Sequence, residues 1–130
     1  MAKKKPQPSD LELQVLGVLW SRGATTVREI LESLPDGKRR ADTSVLSVVQ
    51  VMEKKGLVKR QRERDGLAHV FRAAVSRSQI VGPLLEGMIR KLFGGSPAAA
   101  VQQLLTETRP SANEIQEVRR FLDEFEKGQS

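Results

Sequence analysis

The sequence predicts a mostly helical, α+β fold, in which residues 9–75 form a winged helix-turn-helix and residues 76–130 form a three-helix C-terminal domain. Two observations support this fold class. Three segments with helical apolar spacing are followed by two short β-type segments around a tight turn. Three further helical segments then follow, with glycine- and proline-containing breaks between them. Residues 1–8 are basic and contain proline, and we expect them to form a disordered tail.

Capping signals mark the beginnings of the first two helices. Ser9 and Glu12 form a capping box, in which the serine side chain accepts a backbone N–H and the glutamate reaches back to the cap. This first helix is expected to run to about residue 20, with an apolar face toward a core. Thr26 and Glu29 open a short second helix in the same way.

A two-stranded wing is predicted after a third helix. Leu57 and Val58 begin one strand, Asp65 and Gly66 provide a type I′ hairpin turn, and residues 67–73 return as the second strand. Beyond the wing, helices are expected near residues 78–93, 97–107 and 112–127.

The 130-residue chain carries a net charge of +6 that is unevenly distributed. Residues 1–75 contain 15 Lys and Arg against 9 Asp and Glu, whereas residues 76–130 contain 7 against 7. A basic half of this kind favours a polyanionic partner, because neutralised phosphates release their counterions. A surface that only keeps the protein in solution is the alternative.

Several classes of function are disfavoured by what the sequence lacks. It contains no cysteine, which excludes disulfides, thiolate metal sites and cysteine catalysis, and a cytoplasmic location is expected. No segment approaches the roughly 20 apolar residues of a membrane span, so no membrane insertion is expected. No phosphate-binding glycine motif or HExxH motif occurs, and the single histidine, His69, is expected to be a locally packed strand residue. We therefore expect neither an enzyme nor a cofactor.

The third helix, expected over residues 42–55, has two faces of different character. Val45, Leu46, Val49 and Met52 form the apolar side, and the opposite side consists of Thr43, Ser44, Ser47, Val51 and Lys54. Short side chains allow a helix to enter a DNA major groove about 12 Å wide, where hydroxyls meet base edges and a methyl group meets thymine. This side is the predicted DNA-reading surface, and an ordinary solvated face is the alternative.

Arginines around this helix are predicted to contact the DNA backbone. Arg60, Arg62 and Arg64 alternate along the first wing strand, which places their guanidinium groups on one face beside the groove. Arg39 and Arg40 precede the third helix. Protection of an edge strand from aggregation is a further role that the wing arginines could have.

The C-terminal helices carry more apolar surface than about 50 residues can hide by themselves. We expect a homodimer to cover it, and packing against the winged domain of the same chain is the alternative. The predicted dimerisation residues are Leu84, Leu85, Met88, Leu92, Leu104, Ile115, Val118, Leu122 and Phe125.

Several segments resemble the penicillinase-repressor family, the BlaI/MecI group that also includes the copper-responsive CopY repressors. They are LELQVLGVLW at 11–20, TVREI at 26–30, TSVLS at 43–47 with MEKKGLV at 52–58, and LFGGSP at 92–97. The resemblance covers about residues 9–126. It implies a bacterial transcriptional repressor, with a winged helix that binds a two-fold symmetric operator and a C-terminal domain that holds the dimer. In that family the positions that match Thr43, Ser44, Ser47 and Val51 approach DNA, and the wing touches the DNA backbone.

The resemblance also implies a route of release. Members that govern β-lactam resistance are cleaved in the dimerisation domain after a membrane metalloprotease receptor senses the antibiotic, and the matching bond here joins Gln103 to Leu104. Relatives have asparagine before the cut, and they have a longer basic or polar residue where this chain has Val51. The copper-responsive members use a C-terminal cysteine cluster that this chain lacks.

Two other functions remain open on the sequence alone. One is a winged-helix regulator whose C-terminal region binds a small molecule, which releases it from DNA without proteolysis. The other is a protein-interaction module that uses the winged domain as an adaptor.

Overall fold

The structure, a computed structural model, describes residues 8–62 and 69–129. Within these residues the chain forms six helices and three strands, which confirms the predicted mostly helical class. Two compact units meet inside the fourth helix, after Pro83. The elements are α1 (Asp10–Arg22), β1 (Thr25–Thr26), α2 (Val27–Ser33), α3 (Asp42–Lys54), β2 (Val58–Arg62), β3 (His69–Ala73), α4 (Arg77–Leu92), α5 (Pro97–Thr108) and α6 (Ala112–Gln129).

The predicted capping box begins α1. The Glu12 backbone N–H donates to Ser9 Oγ at 3.2 Å, and the Ser9 backbone N–H donates to Glu12 Oε1 at 2.8 Å. At the other end, the Gly23 N–H donates to the Leu19 carbonyl from a positive φ of 81°, a conformation that glycine adopts at little cost. The helix is therefore two residues longer than the sequence predicted.

A short strand, β1, extends the predicted two-stranded wing to a three-stranded sheet of order β1-β3-β2. Thr25 and Thr26 pair antiparallel with Phe71 and Val70 of β3. The Glu29 N–H donates to Thr26 Oγ1 at 3.2 Å, as predicted, but the Thr26 hydroxyl donates to Glu29 Oε1 at 3.0 Å. Thr26 is the last residue of β1 as well as the cap of α2, and the bond back to Glu29 comes from its hydroxyl. At α1 the corresponding bond comes from the Ser9 backbone N–H.

The wing itself consists of β2 and β3. They pair antiparallel with Val58 opposite Ala73 and Arg62 opposite His69. The hairpin turn predicted at Asp65 and Gly66, the residue Arg64 and the tail of residues 1–7 lie outside the described residues.

The winged unit contains the hydrophobic core. Helices α1, α2 and α3 pack their apolar faces together and against the sheet, and α3 contributes three fully buried side chains. Trp20 is half-buried at the edge of this core, where its Nε1–H donates to the Val75 carbonyl at 2.9 Å. The largest fully buried side chains are those of Phe71, Leu16, Ile30, Met52, Val15, Val45, Val49 and Val58.

The helical unit comprises the end of α4 together with α5 and α6. The three helices themselves lie close to their predicted positions. At the start of α4, which belongs to the winged unit, Ser76 and Gln79 exchange both bonds of a capping box. At the start of α6, Ser111 accepts the Glu114 N–H at 3.2 Å. No side chain described in this unit is buried. The helical unit therefore has regular helices, but its described residues do not enclose a hydrophobic core.

Candidate nucleic-acid interface

The surface of α3 that faces away from the core is a row of polar side chains. Thr43, Ser47, Gln50 and Lys54 follow one another at three- or four-residue spacing and are all exposed. On the opposite side of the helix, Val45, Val49 and Met52 are completely buried. The buried valines and the methionine hold the helix against the core, so that the polar row is presented to solvent.

All five residues that the sequence predicted for this surface are exposed: Thr43, Ser44, Ser47, Val51 and Lys54. Val51 is 47% exposed, which is high for a β-branched apolar side chain. It borders a small hollow of about 290 Å³ on the α1 side of α3, together with Val48 and Ser47. The apolar part of the surface therefore lies toward α1.

Gln50 belongs to the same surface, although the sequence analysis did not select it. It lies three residues after Ser47 and four before Lys54, a spacing that could have identified it. Its amide offers a hydrogen-bond donor and an acceptor, a combination that can recognise a base edge.

Some polar side chains of this surface already donate hydrogen bonds within the protein, and others do not. The Ser47 hydroxyl donates to the Thr43 carbonyl at 3.0 Å, within its own helix. The hydroxyl oxygen of Ser47 remains available as an acceptor. The side chains of Gln50 and Lys54 make no hydrogen bond or ion pair with other described residues.

The wing places Arg60 and Arg62 on the same face of β2, as predicted. Arg60 Nη2 lies 3.3 Å from Glu53 Oε1 of α3, and its guanidinium carbon lies 5.3 Å from the centre of the Phe71 ring. Arg62 is exposed and has no such partner among the described residues. Arg60 therefore connects the wing to α3, while Arg62 has no ion-pair partner among the described residues. Nothing is described for Arg64.

A groove of about 360 Å³ separates α3 from the wing and the start of α2. Its apolar floor includes Leu46 and Phe71, and Gln50, Arg60 and His69 line it as well. His69 lies on β3 as expected, but it is exposed, because it is the first residue of the strand and precedes the buried Val70 and Phe71.

The two arginines before α3 have different environments. Arg39 is exposed, whereas Arg40 donates two hydrogen bonds to Asp36, at 2.9 and 2.7 Å, and its side chain is only 18% exposed. The bonds from Arg40 and from the Lys38 N–H hold the pKa of Asp36 well below its usual range. Arg40 therefore closes the loop before α3, and its charge is already compensated in the free protein.

A partly buried ion pair joins the end of α3 to the start of α1. Lys55 Nζ lies 3.0 Å from both carboxylate oxygens of Glu12, which is only 4% exposed. Burial alone would raise the pKa of Glu12, but the bonds from the Ser9 backbone and from Lys55 outweigh it and lower that pKa. Glu12 thus serves both as the cap of α1 and as an anchor for the end of α3.

The predicted dimerisation residues form two exposed apolar surfaces within the helical unit. One is a groove of about 470 Å³ between α4 and α5, to which Leu85, Met88 and Leu104 contribute. The other, which we call the α6 stripe, consists of Ile115, Val118, Leu122 and Phe125. Phe121 lies beside the stripe and stacks on Phe125, with ring centres 6.1 Å apart. Leu84 is half-buried and Leu92 is exposed.

The predicted cleavage bond lies inside α5. Gln103 and Leu104 are both exposed, and Gln103 Nε2 donates to Glu107 Oε1 at 2.8 Å. A protease binds its substrate in an extended conformation, so that cleavage here requires local unfolding of α5.

The described residues form neither a metal-binding cluster nor a membrane-spanning helix. They contain no group of three or more His, Asp or Glu side chains arranged to hold a metal ion. No helix in the part of the chain that is described is long and apolar enough to cross a membrane.

The chain is similar to known proteins over most of its length. A sequence model of a family described as penicillinase repressor matches residues 8–124. The transcriptional regulator BlaI of Mycobacterium tuberculosis (strain ATCC 25618 / H37Rv) is 35% identical over 121 residues, which are 92% of this chain and 85% of that protein. A penicillinase repressor of Bacillus licheniformis is 24% identical over 122 residues, 94% of each chain. The solved structure of a MarR family protein from Bacillus stearothermophilus has a similar fold, with a TM-score of 0.53 at 21% identity over 93% of this chain and 74% of that one.

Proposed function

The chain belongs to the penicillinase repressor family, and from this premise we propose that it is a transcriptional repressor that binds double-stranded operator DNA as a homodimer. The family membership confirms the resemblance that the sequence segments indicated. Relatives with the names BlaI and penicillinase repressor are regulators of transcription and not enzymes. A repressor of this kind acts in the cytoplasm.

The observation that carries the DNA-binding proposal is the polar surface of α3. It lies directly opposite the buried side of the helix, and it combines short side chains with unused polar groups. A helix of this shape can enter the major groove, where Thr43, Ser44 and Ser47 approach base edges. Val51 and Lys54 extend the contact along the helix.

Arginines beside α3 supply the contacts to the DNA backbone in this proposal. Arg39 and Arg62 are exposed and unpaired within the described residues, so that they can bind phosphates directly. Arg60 and Arg40 are paired with Glu53 and Asp36, and they would have to share their guanidinium groups with phosphate or exchange partners. Arg64 is proposed on its position in the sequence alone.

The homodimer is proposed from the exposed apolar surfaces of the helical unit. Operators with two-fold symmetry are read by proteins with the same symmetry, and a dimer would cover the α6 stripe. Cleavage between Gln103 and Leu104 by a membrane-linked sensor protease would then break the helical unit and release the DNA. Fragments that end at residue 103, found by mass spectrometry in antibiotic-treated cells, would test this route of release.

A second candidate function is release by a small molecule. The groove between α4 and α5 has a volume of about 470 Å³, within the usual range for ligand sites, and its lining is largely apolar. Release of the intact protein from DNA by an added apolar compound, without proteolysis, would favour this function over cleavage.

The substitution Ser44→Glu tests the recognition surface. Ser44 lies in the first turn of α3, where a carboxylate is compatible with the helix dipole, so the fold should be retained. We expect binding to a footprinted promoter fragment to be lost, because the new charge faces the DNA. Ser78→Glu, in the first turn of α4, is the matched control and should bind as the unchanged protein does. Normal binding by Ser44→Glu would refute the assignment of α3.

A further inference from the structure

Gln50 occupies the middle of the exposed row on α3. It is flanked along the helix by Ser47 and Lys54, and it is exposed. Thr43 and Ser47 are short, so that they let the backbone of α3 approach a base pair closely. The longer Gln50 side chain would then extend from the same row into the DNA major groove.

The Gln50 amide, unlike the Ser47 hydroxyl beside it, is not used in a hydrogen bond with other described residues. The Ser47 hydroxyl donates within its own helix, and Arg60 is paired with Glu53. Gln50 makes no hydrogen bond with other described residues, and it carries both a donor and an acceptor on one planar group. Within this row, an amide of this kind can satisfy two atoms of one base edge at once.

The position of Gln50 relative to the wing indicates which part of the DNA it would contact. Gln50 and Arg60 line the same groove between α3 and the wing, with Leu46 and Phe71 on its floor. With α3 in a major groove, an arginine on the far wall would approach the DNA backbone, while the amide on α3 would lie beside the base edges. The two side chains would therefore contact the same stretch of DNA in different ways.

We propose that Gln50 determines operator specificity by recognising an adenine through its N6 and N7 atoms in the major groove. The amide oxygen accepts from the adenine N6 amino group, and the amide nitrogen donates to N7. This inference rests on the proposed function and deepens it, because it assigns one base to one residue.

Replacement of single atoms in the DNA tests this inference. The protein's own promoter is footprinted first, and each adenine of the protected region is then replaced in turn by 7-deazaadenine, which lacks the N7 acceptor. At one adenine in each half-site we expect binding of the unchanged protein to weaken roughly tenfold. The variant Gln50→Ala removes the contact in both half-sites of the proposed dimer at once, so it should bind the original site on the order of 100-fold more weakly and show no further loss at that adenine.

Two controls separate specificity from general damage. Gln116→Ala removes the same side chain from an exposed position of α6 that lies opposite the α6 stripe, and it should respond to 7-deazaadenine as the unchanged protein does. Binding of Gln50→Ala to unrelated DNA should change less than about twofold, since phosphate contacts are retained.

The outcomes distinguish this inference from the function on which it rests. If Gln50→Ala and the unchanged protein lose the same affinity at every modified adenine, the assignment of Gln50 is overturned and the DNA-binding function stands. If the unchanged protein does not bind its promoter at low salt, the proposed function fails and the assignment fails with it.

Discussion

The winged unit and the helical unit bury their apolar residues very differently. In the winged unit, α1, α2, α3 and the sheet enclose a core in which Phe71 and Met52 are at most 1% exposed. In the helical unit, helices with equally regular apolar spacing leave Leu104 and Leu122 more than half exposed. The difference indicates that the winged unit has the core of an independent domain, whereas the helical unit needs a further surface to complete its own.

Removing a core side chain from the winged unit should have the largest effect. Phe71→Ala leaves a cavity in the core and also removes the ring beneath Arg60, and we expect it to cost about 3–5 kcal/mol of unfolding free energy. Leu104→Ala in the helical unit should cost less than about 0.5 kcal/mol in the dilute protein.

Urea unfolding followed by far-ultraviolet circular dichroism, which reports the helices of both units, measures this contrast. Trp20 fluorescence is followed in parallel, because Trp20 is the single tryptophan of the chain and is hydrogen bonded within the winged unit, so that its signal reports that unit alone. Similar shifts in the two variants would show that the difference in burial has no energetic counterpart.

A charge within the α6 stripe should have the next largest effect. Leu122→Asp would place a carboxylate in the proposed dimer interface, where its desolvation opposes association. We expect a monomer in analytical ultracentrifugation, and an affinity for the two-half-site operator that falls on the order of 100-fold because the two halves no longer bind together.

The matched control for this substitution is Gln116→Asp, which introduces the same charge on the other side of α6. It should remain dimeric and bind as the unchanged protein does. A dimeric Leu122→Asp protein would exclude the α6 stripe from the interface.

Breaking the ion pair between Glu12 and Lys55 should have a smaller effect, and one that depends on pH. Lys55→Met leaves the buried carboxylate with only its capping bonds, and we expect a loss of roughly 2 kcal/mol at pH 7. Since the folded state lowers the pKa of Glu12, its contribution is complete above the usual pKa of 4.5 and is lost as the pH falls through the folded value.

Urea unfolding measured at a series of pH values from 7 downward would therefore show the difference between the two proteins shrinking below pH 4.5. Lys54→Met is the control, because Lys54 is exposed and unpaired among the described residues. A difference between Lys55→Met and the unchanged protein that does not vary with pH would contradict the role of the Glu12 carboxylate.

Local signals explain the parts of the fold that the sequence predicted. The box of Ser9 and Glu12 involves residues three apart, and the buried side of α3 follows from the helical period alone. The third strand could not be predicted, because Thr25 and Thr26 become a strand only by pairing with Phe71 and Val70, more than 40 residues away.

The residues that form the candidate site could largely be predicted from the sequence, but the partners of their charged side chains could not. The five exposed residues of α3 follow from the helical period, and the exposure of Gln50 follows from the same period. The pairing of Arg60 with Glu53 depends on the angle between wing and helix, and that of Lys55 with Glu12 depends on how α1 packs. Neither this angle nor this packing can be predicted from the spacing of residues in the sequence.

The exposed α6 stripe also determines how the proposed repressor responds to its own supply. While most chains are monomers, the concentration of dimers rises as the square of the chain concentration, so that halving the supply reduces the operator-binding form about fourfold. The loss of a minority of chains therefore lowers the concentration of operator-binding dimers by a larger fraction. A regulator built in this way makes gene dosage and protein turnover part of the control circuit.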